Sequence, residues 1–195
     1  MDGTLATRLQ NHLKNQSCPE YTANREQRNA SRTVSVINRR LRENPKAVVS
    51  LGSNLENRKL NLDIAIINLQ SVLTNIITSK YIETKPVGGP EQGDYLNAVA
   101  IGDCDLSAEQ LLTELLKIEE EMGRVREIKW GPRIIDLDLI VYGDHSSNTD
   151  FLKLPHPLAH TRDFVLTPWY SIDPEAEIPG TGAIKTLLAS FGKPS

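Results

Sequence analysis

The chain has 195 residues, 39% of them apolar and 5% aromatic, which suits one ordinary domain with a tail better than two full domains. No apolar run approaches the roughly 18 residues that span a membrane, and the polar start, Met1 to Gln16, lacks the apolar core of a secretory signal, so a soluble cytoplasmic protein without membrane partners is expected. The net charge of −3 divides unevenly: eight Lys/Arg against four Asp/Glu give +4 over residues 1–45, leaving −7 for residues 46–195. An acidic body is a poor general binder of polyanions, so any phosphate it takes must meet a local basic cluster or a metal ion. Two cysteines, Cys18 and Cys104, are too few for a disulfide framework or a zinc cluster.

Residues 1–45 are rich in Asn, Arg, Gln and Ser with few periodic apolar positions, and are expected to form a polar, basic arm outside the core. The alternation in Arg32-Thr-Val-Ser-Val-Ile-Asn-Arg39 leaves open a remnant of an upstream fused domain; a solvated basic tail is the plainer alternative. Pro45 marks the boundary, and the domain proper is expected over residues 46–195. Ala47-Val-Val-Ser-Leu51 predicts a buried strand ended by Gly52-Ser53-Asn54. Leu62, Ile66, Leu69 and Leu73 recur at helical spacing and predict a helix over residues 57–73. A second strand is expected near Ile77 to Glu83. Lys85-Pro-Val-Gly-Gly-Pro90 reads as a loop, and Tyr95 to Ile101 as a third strand. Ser107 and Gln110 match a capping box ahead of a helix that carries Leu111, Leu115, Ile118 and Met122 and stops at Gly123. Ile134 to Tyr142 supplies the fourth strand.

This order predicts an α+β fold, a ferredoxin-like βαββαβ core with both helices on one face of an antiparallel sheet. The remaining residues, punctuated by Pro155, Pro157, Pro168, Pro174 and Pro179, are expected to form short elements over the other face or edge, completing an α/β/α three-layer domain. An RNA-recognition module shares this strand order, but the few aromatics, the missing RNP1 pattern and the charge of −7 argue against nucleic acid as a partner.

The chemistry concentrates in Lys129-Trp-Gly-Pro-Arg-Ile-Ile-Asp-Leu-Asp-Leu-Ile140, where two acids interrupt an apolar strand. Strand side chains alternate, so Asp136 and Asp138 share one face while Ile135, Leu137 and Leu139 point into the core. Neighbouring carboxylates repel, and one or two hard divalent cations relieve this, magnesium especially where phosphates complete its shell. A pair of acids on a solvated sheet face is the alternative. Context favours the metal, because Arg124, Arg126, Lys129, Arg133, His156, His160 and Arg162 surround the acids in sequence, and guanidinium groups hold phosphate oxygens bidentately. For Arg124 and Arg126 a solvated position at a helix C-terminus remains open. No Walker, kinase or nucleophile-elbow signature is present. Pro157 argues against a helix that would aim His156 and His160 jointly at zinc, leaving a phosphate or structural role.

Val49-Ser-Leu-Gly-Ser-Asn54, Asp94-Tyr-Leu-Asn-Ala98, Trp130-Gly-Pro-Arg-Ile-Ile-Asp-Leu-Asp138, and Pro155-His-Pro157 with Arg162 and Phe164 together resemble the 6-hydroxymethyl-7,8-dihydropterin pyrophosphokinase family. The resemblance covers nearly all of residues 46–195 and implies a ferredoxin-like core. It also implies magnesium-dependent transfer of pyrophosphate from ATP to a reduced pterin, a step of folate biosynthesis. In that reading Asp136 and Asp138 hold two Mg2+ ions, and Arg124 and Arg133 contact phosphate during transfer. Tyr95 and Phe164 sandwich the pterin, Asn97 bonds its polar edge, and Thr84 with the backbone near Val87 takes its remaining groups. Glu119, Arg126, Trp130, His156 and Arg162 lie on the ATP side. Without the resemblance, Tyr95 and Phe164 would read as core packing. The partners implied are ATP and the pterin, with the protein a monomer able to associate with neighbouring folate-pathway enzymes.

Overall fold

The protein is represented by a computed structural model that describes residues 44–124 and 131–191. β1 (Lys46–Ser53) is followed by α1 (Arg58–Leu69), β2 (Thr74–Thr78), β3 (Ile82–Thr84), β4 (Tyr95–Asp103), α2 (Ala108–Glu121) and β5 (Asp136–Tyr142). The C-terminal part adds a hairpin of β6 (Ser147–Asn148) and β7 (Lys153–Leu154), a 3-10 turn at Ala159–Thr161, and α3 (Asp163–Ile172). A second hairpin, β8 (Glu177–Ile178) with β9 (Gly182–Ala183), leads into α4 (Ile184–Phe191).

The main sheet is antiparallel in the order β2-β4-β1-β5, with β3 also paired to β4. The apolar run of β1 is buried on both faces, which puts it in the middle of the sheet. Ala47, Val49 and Leu51 meet Leu62, Ala65 and Leu69 of α1 and Leu111, Leu115 and Ile118 of α2. Val48, Val99 and Ile101 meet Val165, Leu166 and Trp169 of α3 and Ile184 of α4. Helices therefore cover both faces of an antiparallel sheet, as the sequence led us to expect. Among the described residues no helix is long and apolar enough to cross a membrane.

Local chemistry sets the ends of the elements. Asn57 caps α1 by accepting a hydrogen bond from Leu60 N at 3.1 Å, and Ser107 with Gln110 forms the predicted capping box of α2. Gly123, at φ 84°, ends that helix in the left-handed region glycine enters without a Cβ penalty.

Four expectations need correction. α1 ends at Leu69, and Leu73 is buried from the turn beyond it. The second strand is broken into β2 and β3: Ser79, buried between them, exchanges hydrogen bonds with Val99 through its own backbone N–H and its Oγ. β5 begins at Asp136, with Ile135 already fully buried ahead of it. Pro168 lies inside α3 instead of ending an element, because burial of Val165, Leu166 and Trp169 outweighs the missing backbone donor. The arm over residues 1–43, the strand-like Arg32–Arg39 and Cys18 lie outside the described residues. Cys104 is a free, buried thiol whose pKa burial pushes up.

Candidate active site

The site is laid out by sheet register. Asn97 of β4, Gly52 of β1 and Asp136 of β5 sit side by side across three strands, and Val99, Ser50 and Asp138 form the next row. Both rows belong to the face that α3 and α4 cover, near the end those helices leave open. The small residues of β1 keep the floor low between Asn97 and the acids. A Cβ added at Gly52 would lie 3.0 Å from Asn97 Oδ1, 3.7 Å from Tyr95 Cδ1 and 3.9 Å from Asp136 Cβ, so the backbone here lies close against all three. Ile135, Leu137 and Leu139 alternate into the core, so the two carboxylates share one side, as strand periodicity required.

Each acid is held by arginine. Arg133 bonds Asp136 Oδ2 at 2.8 Å, Arg124 bonds Asp136 Oδ1 at 2.6 Å, and Arg162 bonds Asp138 Oδ2 at 3.0 Å. Arg124 also bonds Glu119, which is only 2% exposed and accepts the Leu137 backbone N–H at 2.7 Å. Glu119 thus ties α2 to the start of β5 while steering Arg124 toward Asp136. Burial, and then the charge of Asp136, push the Asp138 carboxyl above the usual carboxylate range. Burial lowers the His156 pKa and raises that of Tyr95.

Two cavities meet over the acids, and Arg133, Asp136, Asp138 and Arg162 line both. One, of about 670 Å³, is lined among others by Glu119, Arg124, His156, Leu112, Leu116 and Phe151. The other, of about 450 Å³, is lined by Ser50, Gly52, Thr84, Val87, Tyr95, Asn97 and Phe164. Asn97 Nδ2 donates to Thr84 Oγ1 at 2.7 Å, joining β4 to β3 within that wall. The Arg162 guanidinium lies 5.6 Å from the centre of the Phe164 ring, linking the smaller cavity to Asp138. Tyr95 and Phe164 are half-buried and line the smaller cavity, Phe164 also packing against the core on the α3 side.

The structure therefore gathers Arg124, Arg133, Asp136, Asp138, Glu119, His156 and Arg162 around one cavity, and Thr84, Val87, Tyr95, Asn97 and Phe164 around its neighbour. Arg126, Lys129 and Trp130 lie outside the described residues. His160 is exposed on the 3-10 turn and lines neither cavity, because that turn carries it away from His156. Sequence reading passed over Asn54, which it took only as a strand end. Asn54 Oδ1 accepts the Arg133 N–H at 2.8 Å and its Nδ2 donates to Gln92 Oε1 at 2.9 Å, holding a loop from each side of the site. Its one signal was a buried-type position after an apolar run.

The donor set fits a hard divalent cation. Asp136 and Asp138 present oxygen ligands from one strand face, with side chains 24% and 34% exposed. Among the described residues no group of three or more His, Cys, Asp or Glu could hold a metal alone. Substrate oxygens and water would have to complete the shell, the situation in which magnesium is usually bound.

Two cavities that share a pair of strand acids, each paired with its own arginines on an antiparallel sheet, define a site where two small molecules can be brought together. Residues 48–174 match the family described as 7,8-dihydro-6-hydroxymethylpterin-pyrophosphokinase (HPPK), and the chain belongs to that family. It is 37% identical over 147 residues to the Haemophilus influenzae 2-amino-4-hydroxy-6-hydroxymethyldihydropteridine pyrophosphokinase, covering 74% of this chain and 92% of that one. To the enzyme of the same name from Mycobacterium tuberculosis it is 40% identical over 160 residues, covering 75% and 84%. The fold is similar to a crystal structure of an HPPK-DHPS in complex with substrates, with a TM-score of 0.58 at 15% identity over 76% of this chain. A Plasmodium falciparum HPPK-DHPS variant with pteroate gives a TM-score of 0.59 at 16% identity over 77%. This chain spans 43% and 44% of those two longer chains.

Proposed function

We propose that this chain transfers the terminal pyrophosphate of ATP to the hydroxymethyl group of 6-hydroxymethyl-7,8-dihydropterin in folate biosynthesis, and that it does so with magnesium at Asp136 and Asp138. The observation that carries the reading is the pair of cavities joined at those two acids. The larger takes ATP, with Arg124, Arg133, Arg162 and His156 toward the phosphates and Glu119 behind them; Arg126 and Trp130 belong to the same side by family likeness. The smaller takes the pterin, its flat ring between Tyr95 and Phe164 and its polar edge at Asn97, Thr84 and the backbone near Val87. Two Mg2+ ions held by Asp136 and Asp138 would neutralise phosphate charge.

The pterin hydroxymethyl oxygen attacks the β-phosphorus in line, the bond to the α-phosphate oxygen breaks, and AMP leaves. Arg124 and Arg133 bear the charge of the group in flight. Loose phosphoryl-type transfer asks little of a base, so positioning and charge carry the step. Gly88 and Gly89, at φ 75° and 81°, allow the loop between β3 and β4 to change shape over the pterin.

The strand order β2/β3-β4-β1-β5 supports a ferredoxin-like core, and residues 46–195 are the catalytic domain, preceded by the basic arm. In this reading the protein is a cytoplasmic monomer that associates with neighbouring folate-pathway enzymes. The test is AMP formation from ATP and Mg2+ with and without the pterin, in the intact chain and in Asp138→Ala. Pterin-dependent AMP that disappears in the folded variant is expected. Release of pyrophosphate in place of AMP would reassign the reaction to nucleotidyl transfer.

A further inference from the structure

The smaller cavity is walled in part by the loop between β3 and β4, which leaves β3 at Glu83 and Thr84 and returns at Asp94 and Tyr95. Its two stems meet where Thr84 pairs with Tyr95, and both of those side chains line the cavity. Alternation turns Glu83 the other way, toward the face that α1 covers. β3 is only three residues long and is held to β4 by three register pairs, a short strand to carry one wall of a binding site.

α1 supplies what so short a strand lacks. Arg58, its first residue, reaches both stems with one guanidinium nitrogen: Nη1 lies 2.7 Å from Glu83 Oε1 and donates to Asp94 O at 2.7 Å. Further along α1, Asp63 accepts the Tyr81 hydroxyl at 2.6 Å, just ahead of β3. The Arg58 side chain is 33% exposed and its bonds are charge-assisted, hence stronger than neutral ones. Lys85 and Asp94 also pair across the loop base at 2.8 Å, but Lys85 is 85% exposed, and an ion pair so open to water contributes little. Arg58 lines neither cavity and meets the stems from behind.

We propose that Arg58 is a positioning residue for the pterin: it clamps both stems of the β3–β4 loop and so holds Thr84 and Tyr95 in their binding arrangement without touching the ligand. This rests on the assignment of the smaller cavity to the pterin. Apparent affinity falls in proportion as the binding-competent arrangement loses population. Asp136 and Asp138 are held by other arginines, so the effect is confined to the pterin.

The experiment is steady-state kinetics of pterin-dependent AMP formation, with titration by the pterin and by a non-hydrolysable ATP analogue with Mg2+, in full-length variants shown by circular dichroism to be folded. Arg58→Ala should raise the pterin KM and Kd about fivefold, with kcat and ATP-analogue affinity within about twofold of the parent. Arg58→Lys, whose ammonium can meet both stems, should restore most of the loss. Lys59→Ala, which removes the neighbouring charge of α1 but leaves the stems tied, should match the parent. Glu83→Ala should weaken the pterin in the same sense, and the double variant with Arg58→Ala no more than Arg58→Ala alone. Unchanged pterin affinity in Arg58→Ala, equal weakening of the ATP analogue, or additive losses in the double variant overturns the proposal. If that occurs while the intact chain makes pterin-dependent AMP, only the role of Arg58 falls. Absence of AMP and of pterin binding in the intact chain removes the assignment of the cavity itself.

Discussion

Replacing Glu119 with Ala tests how the site is braced. The carboxylate is 2% exposed and makes two contacts that matter, accepting Leu137 N–H at 2.7 Å and pairing with Arg124. Alanine leaves the Leu137 N–H without its acceptor inside a buried strand, which costs about 1–3 kcal/mol. It also opens a small void and removes one of the two carboxylates on Arg124, which keeps Asp136 at 2.6 Å. The sum is about 3 kcal/mol, or roughly 6–12 °C in Tm for a domain of this size. Glu119→Gln keeps an acceptor for Leu137 and loses only the charge, so it should cost about 1 kcal/mol. Urea unfolding of the full chain followed by circular dichroism reads both variants. Stability within about 0.5 kcal/mol of the parent for Glu119→Ala would refute the bracing argument. Equal losses in the two variants would show that the ion pair, not the backbone acceptor, carries the effect.

Gly52→Ala should weaken pterin binding by about tenfold, the worth of one hydrogen bond, because its Cβ would press on Asn97 Oδ1 from 3.0 Å while Thr84 holds the amide in place. ATP-analogue affinity should stay near the parent's in the same variant, and fluorescence titration with each ligand checks the split. Arg133→Ala should lower kcat more than it weakens pterin affinity, since the guanidinium sits on Asp136 where the two cavities join. Steady-state kinetics showing the reverse would move Arg133 out of the transfer step.

Much of the scaffold was legible because its signals are local. The largely apolar run at Ala47–Leu51, the capping box at Ser107 and the glycine after α2 each specify structure through neighbours a few residues away. The break at Ser79 was not legible, since it depends on Val99 across the sheet supplying and accepting the hydrogen bonds. Asn54 escaped for the same reason: its partner Arg133 lies 79 residues away. His160 misled because nearness in sequence to His156 counts for little once a 3-10 turn intervenes.

Strand periodicity alone determined that Asp136 and Asp138 face one way and that the residues between them enter the core, since alternation is a property of the extended backbone. The sequence likewise contained the cations and the motifs of the family. Only the tertiary structure decided which arginine meets which acid, that Asn97, Gly52 and Asp136 form one row, and that the acids stand between two cavities. Those facts depend on the register of three strands and on how far α3 and α4 extend over the sheet, and both are settled by packing between elements distant in the chain.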